Sequence, residues 1–343
     1  MANQLVRLQD DLIAIHNQAS SGDVLILEEG TYMLPSQLRL KKGVSIKGQG
    51  SDKTILTTNN PNFLTNSGGN TEWGKYLVAS YNSDMGRRID EADNVLEGFS
   101  IQSTTTRPLH GGVGFWNKRG IRVQDVEVKN TYWSGLNFLF VEDAGVYNSS
   151  FEDCGAYVGT GQFSYSYGVV NICTSKDVEF YGNSVVDNRP SPENAYIFTS
   201  LGTTENEWRN VKFKGNYFYS ETLSSQWSQN GNPAPTYFET YTTAHYGTEF
   251  INNYIGVTMS LIYESAYDLE DFDYAIKFEN NYHFCNSFAI ELTVPNKVIM
   301  DEMIWEARNE NDFGAILANF NGSLRNDIDV SNVWLNTAGK RWS

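Results

Sequence analysis

Cysteine is scarce in this chain. There are three in 343 residues, Cys154, Cys173 and Cys285, with no paired spacing of the kind that builds a metal knuckle. A disulfide framework and a zinc site are set aside on that count, and the thiols read as small core residues. Basic residues are also few, 25 Lys and Arg against 41 Asp and Glu, for a net charge of −16. No Lys/Arg block exceeds two residues, so nucleic acid is not expected as a partner. Long apolar runs are missing, so no membrane span is expected, and the opening Met1-Ala-Asn-Gln-Leu-Val-Arg7 lacks the apolar core of a signal peptide. Helical periodicity is equally rare. Leu5, Leu8, Leu12, Ile13 and Ile15 fall at helical spacing and predict one amphipathic helix over 4–19.

What the chain has in quantity is aromatic side chains, 20 Tyr, 19 Phe and 8 Trp, set among Asn, Ser, Thr and Gly. Such residues fill strands and also stack on sugar rings. Short alternating segments broken by glycine turns begin at Gly22-Asp-Val-Leu-Ile-Leu and continue through Leu38-Arg-Leu-Lys-Lys-Gly-Val-Ser-Ile-Lys-Gly. A phrase then recurs in which a strand ends in asparagine, at Asn130, Asn148, Asn183, Asn216, Asn253 and Asn281. Repeats of roughly 20 to 40 residues with asparagine at a turn indicate coils stacked in parallel. Asparagine tolerates the left-handed turn conformation and bonds to neighbours above and below. The expected architecture is all-β, a single-stranded right-handed parallel β-helix, one domain over 1–343 with coils from about 22 to 339. The helix over 4–19 would cap its open end. A β-propeller would show a more uniform period and no capping helix.

The segment from Gly22 to Leu56, with Gly22-Asp-Val-Leu-Ile-Leu-Glu-Glu-Gly-Thr-Tyr32 followed by Gly43-Val-Ser-Ile-Lys-Gly-Gln-Gly50, resembles the opening coils of pectate-lyase-like right-handed parallel β-helix proteins. The asparagine-ended coils extend that resemblance over most of the chain. The superfamily holds polysaccharide lyases, glycoside hydrolases, uronan epimerases and phage tailspikes, so the resemblance implies a glycan partner and a secreted or periplasmic setting. It does not choose an activity. The Asp-Pro-His tripeptide of alginate epimerases is absent.

Chemistry enters through three glutamates at near-equal spacing, Glu239, Glu264 and Glu291, in similar strand phrases. A fourth phrase carries Ala318 in the corresponding slot. Alternation around Glu291 assigns the acids to the solvent side, and stacked coils would bring neighbours to about 5 Å. Like charges that close raise one pKa, the condition for a general acid beside an ionised nucleophile or base. Glycoside hydrolysis of a polysaccharide or oligosaccharide by Glu239, Glu264 and Glu291, without metal or cofactor, is the expected function.

One alternative is a lyase on a uronic-acid glycan. It would use calcium held by the same acids and a base from Arg87, Arg88, Lys118, Arg119 or Arg189. The other is a non-catalytic glycan-binding or tailspike-like module. Substrate-binding candidates are Tyr237, Tyr241, Trp227 on the long segment 221–235, and His245. The segment 267–274 is a second candidate wall. His16, His110 and His283 read as structural.

Overall fold

Each short alternation becomes a strand because the coil before it and the coil after it both offer a backbone partner. The computed structural model describes residues 2–64, 75–82, 88–155, 157–158, 165–166, 168–189, 196–199, 206–220, 224–229, 232–234, 237–240, 243–263, 272–284, 288–292, 298–306, 316–320, 328–331 and 334–336. Within these, the strands of successive coils pair in parallel and form three faces around one interior.

The first face starts with Asn3–Val6 on Val24–Leu27 and ends with Val298–Asp301 on Ile328–Ser331. Its inward row runs Leu25, Ile46, Leu96, Val123, Val146, Phe180, Phe213, Phe250, Phe278 and Met300. All ten are buried. The second face aligns Leu56, Ile101, Val128, Phe151, Val185, Phe218, Ile255 and His283. The third aligns Leu38, Val78, Val113, Leu136, Val170, Phe198, Phe238 and Met259. One apolar cluster runs from Val6 to Met303. The parallel β-helix expected from the strand pattern is the architecture observed.

The corner between the first and second faces is a two-residue turn in which two jobs fall to consecutive positions. The first residue takes positive φ: Asn148 at 47°, Gly182 at 68°, Gly215 at 64°, Asn252 at 57° and Asn280 at 50°. Glycine and asparagine are the residues that enter this region at least cost. The second residue points inward and bonds along the stack. Asn183, Asn216, Asn253 and Asn281 each accept, through Oδ1, the backbone N–H of the preceding coil at 2.8–2.9 Å, starting at Ser149. Asn148 therefore belongs to the turn position, and Ser149 occupies the bonded row. Directly beside this ladder, Phe213, Phe250 and Phe278 stack with ring centroids 4.8 and 5.0 Å apart.

The helix is Leu12–Gln18, shorter than the expected 4–19. Asn3–Val6 is a strand instead, because pairing with Val24–Leu27 satisfies a backbone that an isolated helical turn would leave open. Leu5 and Leu8, read as part of the apolar helix face, are 52% and 46% exposed. Asp11 caps the helix by accepting from the Ala14 N–H at 3.0 Å. Lys41 Nζ closes the other end by donating to the carbonyls of Asn17 and Ala19. Leu12 and His16 are buried.

Two antiparallel hairpins interrupt the parallel stack. Tyr157–Val158 pairs with Tyr165–Ser166, and Ser224–Gln229 pairs with Asn232–Ala234. Both are inserted at the same corner, where the chain leaves the second face and enters the third. The segment 221–235 expected as a loop thus contains a hairpin, with Trp227 in its first strand. Most of the segment 267–274 lies outside the described residues.

Candidate functional site

The outer positions of the third face carry a row of polar side chains that the alternation itself creates. Leu136 and Phe138 are buried inward residues, as are Val170 and Ile172, so Asn137 and Asn171 fall between them on the other side of their strands. The two are register partners. Asn171 Nδ2 donates to Asn137 Oδ1 at 2.9 Å, and Asn137 Nδ2 donates to the Tyr76 hydroxyl at 2.9 Å. The Tyr76 ring lies over Gly111, where an added Cβ would come within 2.8 Å of it. It also meets Trp133 edge-on at 6.4 Å, within a small outer cluster of Tyr76, Ala79, Tyr132 and Trp133. Although these residues are on the outer side, Tyr76 is 0%, Asn137 4% and Asn171 2% exposed.

The same row continues into the region of the glutamates. Asn171 pairs in register with Thr199, Thr199 with Glu239, Glu239 with Ser260 and Ser260 with Ala289. Glu239 sits between Phe238 and Thr240, both wholly buried, at the outer register position of its strand.

That register corrects the expected carboxylate ladder. Glu239 faces Ser260, and Glu291 faces Ile262 on one side and Asn319 on the other. Ala318, read as the equivalent of the glutamates, pairs with Ile290 instead. Glu264 lies outside the described residues. The reason is loop length: 21 residues separate Glu239 from its partner Ser260, whereas 29 separate Ser260 from Ala289. Equal spacing along the chain is therefore not equal spacing around the coil. Glu239 and Glu291 occupy positions two residues and two coils apart, roughly 12 Å between backbone sites for a 3.3 Å rise and a 4.8 Å strand spacing.

His245 is corrected as well. Expected at a binding surface, it is 2% exposed and inside the coil. Its Nε2 is 3.2 Å from Thr240 Oγ1, its Nδ1 is 3.1 Å from Thr248 Oγ1, and Trp208 packs edge-on at 5.4 Å. Burial lowers its pKa to about 3, so it stays neutral and structural. The ring fills an inward slot that happens to be polar, which sequence alternation does not distinguish from an outer one. Tyr237 lies in the strand Tyr237–Thr240, and Tyr241 is outside the described residues.

The candidate bases do not converge on Glu239. Arg189 forks onto Asp187 at 2.8 and 2.6 Å and donates to the carbonyls of Gly155 and Cys154. Burial opposes its charge, but the Asp187 carboxylate overrides this and its pKa is raised. Lys118 has a pKa lowered by burial, against the pull of Asp90 at 3.7 Å. It shares a cleft of about 440 Å³ with Lys42, Arg88 and Arg119. Four register steps separate its strand from that of Glu239, roughly 19 Å. Arg87 is outside the described residues.

A second cleft of about 520 Å³ lies over the first face. There the Tyr147 hydroxyl donates to Glu179 Oε2 at 3.0 Å, and the Arg122 guanidinium sits 5.2 Å over the ring. Gly145 makes room for that ring, since a Cβ would come within 2.2 Å of it. Tyr147, Arg122 and Glu179 engage one another, and none belongs to the row leading to Glu239. Among the described residues no three His, Cys, Asp or Glu side chains form a group that could hold a metal ion. Cys154 and Cys173 are buried and form no disulfide, and burial raises the Cys154 pKa to about 11.

Tyr76, Asn137 and Asn171 were not singled out from the sequence. The available signal was weak: one asparagine in each of two strands, between buried apolar neighbours.

No family model matches this chain, and no curated protein matches it. Solved structures do. The chain superposes on pectate lyase Pel9A with a TM-score of 0.62 at 9% identity, covering 99% of this chain and 82% of that one. It superposes on the Streptococcus pneumoniae surface protein and adhesin PfbA at 0.56 and 12% identity, covering 95% and 92%. For the Yersinia enterocolitica family 28 exopolygalacturonase the values are 0.55 and 10%, covering 99% and 77%. The chain shares the parallel β-helix fold with these proteins.

Proposed function

We propose that this chain cleaves a polysaccharide laid along its third face, by glycoside hydrolysis, with Glu239 and Glu291 supplying the acid and the base. The observation that carries this reading is the position of Glu239 in the same outer register row as Asn137 and Asn171. That row sets polar residues along the strand positions that lead to a glutamate. The structural neighbours named as a pectate lyase and an exopolygalacturonase support a polysaccharide as the substrate class.

One glutamate, protonated, gives its proton to the glycosidic oxygen as the bond to the anomeric carbon breaks. The other, ionised, takes a proton from the attacking water. A backbone separation of roughly 12 Å suits a pair with water between its members better than a contact pair. Glu264 is a third candidate acid, and Tyr237, Tyr241 and Trp227 are proposed to line sugar subsites. A net charge of −16 favours a neutral glycan over a polyuronate. A secreted or periplasmic setting goes with this reading.

The test is incubation with neutral and acidic polysaccharides, with and without chelator, following reducing ends and ultraviolet absorbance. New reducing ends without absorbance, lost in Glu239→Gln, are expected. Absorbance from unsaturated ends would replace the hydrolase by a lyase, with chelator sensitivity reporting a calcium requirement. Binding without cleavage would make the chain a glycan-binding module.

A further inference from the structure

Four basic residues line one cleft at the corner where the chain passes from the third face to the first. Lys42, Arg88, Lys118 and Arg119 share about 440 Å³ there with Ile89, Asp90 and Glu91. Three successive coils supply them. The Gly43 N–H, next to Lys42, donates to the Ala92 carbonyl one coil on, and Asp90 and Glu91 pair in register with Lys118 and Arg119 one coil further. Four cations against two carboxylates reverse, locally, the sign of a molecule whose net charge is −16. A concave wall focuses that field on a ligand.

Three of these cations are loosely engaged. Lys42 Nζ stands 3.9 Å from Asp93, Arg88 Nε 3.5 Å from Asp90, and Lys118 Nζ 3.7 Å from the same Asp90 carboxylate. A charge-assisted hydrogen bond is shorter, about 2.7–2.9 Å. The Asp90 oxygen that faces Lys118 already accepts the Asn82 amide at 2.9 Å. Lys118 has the most to gain from another anion: its side chain is 12% exposed, and burial lowers its pKa against the pull of Asp90. The cleft opens to solvent past Arg88, whose side chain is 81% exposed, so an anion can reach it.

The donor set selects the ligand. A flat carboxylate is held best by a guanidinium fork, and Arg119, the fork in place here, is closed on Glu91 through two of its nitrogens. Point ammoniums approaching from different coils suit an anion with oxygens on all sides. We infer that this cleft binds a tetrahedral oxyanion, a sulfate or phosphate group, between Lys42, Arg88 and Lys118. The free ion and an ester carried by a sugar offer the same chemistry. Four register steps, roughly 19 Å, separate the Lys118 strand from that of Glu239, so the inference is independent of the proposed use of the third face.

Equilibrium dialysis of the full chain against radiolabelled sulfate, at an ionic strength fixed with sodium chloride, tests it, with melting temperatures as the check on folding. One saturable site per chain is expected, displaced by phosphate and at least about tenfold less well by acetate. Lys118→Met, which keeps the aliphatic stem and drops the charge, should weaken binding at least about tenfold, the size of one hydrogen bond to a charged group. Should that variant fail to fold, the double variant Lys42→Gln with Arg88→Gln, both on exposed side chains, is read in its place and should weaken binding as much. Glucose 6-sulfate, with glucose as control, identifies the source. Displacement at a lower concentration than free sulfate assigns the ester, and displacement at an equal or higher one assigns the free ion.

A wild type without saturable sulfate binding overturns the inference. Unchanged affinity in folded Lys118→Met, or in the double variant where it is read instead, overturns it too, since the ion would then sit elsewhere. Acetate as effective as sulfate also overturns it, because the cleft would then take any small anion.

Discussion

Asn216 donates twice to Asn253, its backbone N–H and its Nδ2 both reaching Asn253 Oδ1 at 2.9 Å. Asn253 in turn donates to the Phe213 carbonyl and to Asn281 Oδ1, each at 2.9 Å. One side chain therefore closes four bonds between coils. Asn253→Ala leaves the Asn216 N–H and the Phe213 carbonyl buried and open, and should cost about 3 kcal/mol. The midpoint of urea unfolding measures it, and an unchanged midpoint would show that water replaces the ladder.

Asp187 is wholly buried and holds Arg189 through both carboxylate oxygens. Removing Asp187 takes away the carboxylate that the half-buried guanidinium forks onto. Asp187→Ala should lose about 3 kcal/mol of stability and lower the melting temperature by several degrees. The double variant Asp187→Leu with Arg189→Met should recover much of that loss. A double variant as unstable as the single one would show that the carbonyl contacts of Arg189, rather than the ion pair, hold this corner.

Burial lowers the pKa values of His245 and His283 to about 3. Their folded pKa lies below the unfolded value near 6.5, so the unfolded chain binds more protons between these limits. Stability from both residues is present above about pH 6.5 and is lost as pH falls toward 3. The slope is at most about 1.4 kcal/mol per pH unit for each histidine. His245→Gln should be less stable at pH 7.5 but show a shallower fall between pH 6.5 and 4. Equal slopes in variant and wild type would mean that His245 becomes protonated without unfolding.

For Glu239 and Glu291, the separation of their backbone sites predicts the stereochemistry. Cleavage by a pair with water between its members inverts the anomeric centre, whereas a contact pair retains it. Proton NMR of the first-formed product is expected to show inversion, and activity should fall at least about a hundredfold in Glu239→Gln and in Glu291→Gln. Retention, or full activity in Glu291→Gln, would move the second carboxylate to another residue.

Much of the fold was legible because its signals are local. Alternation of apolar and polar residues sets which side of a strand faces the core, and the asparagine-ended strands announced both the turn and the ladder. The errors all concern relations between distant segments. Residues 4–6 have helical spacing, yet pair as a strand because Val24–Leu27 is within reach. His245 reads as an outer polar residue, yet two threonines and a tryptophan make an inward slot for it. Asn137 and Asn171 are two unremarked asparagines 34 positions apart until the stack joins them.

The sequence by itself determined the strand pattern, the asparagine turns, the acidic balance and the parallel β-helix. Each follows from side-chain chemistry acting over a few residues. Only the tertiary structure decided which residues share a row around the coil. That depends on how many residues each connection uses before the chain returns to the same face, and a connection of 21 rather than 29 residues is enough to part Glu239 from Glu291.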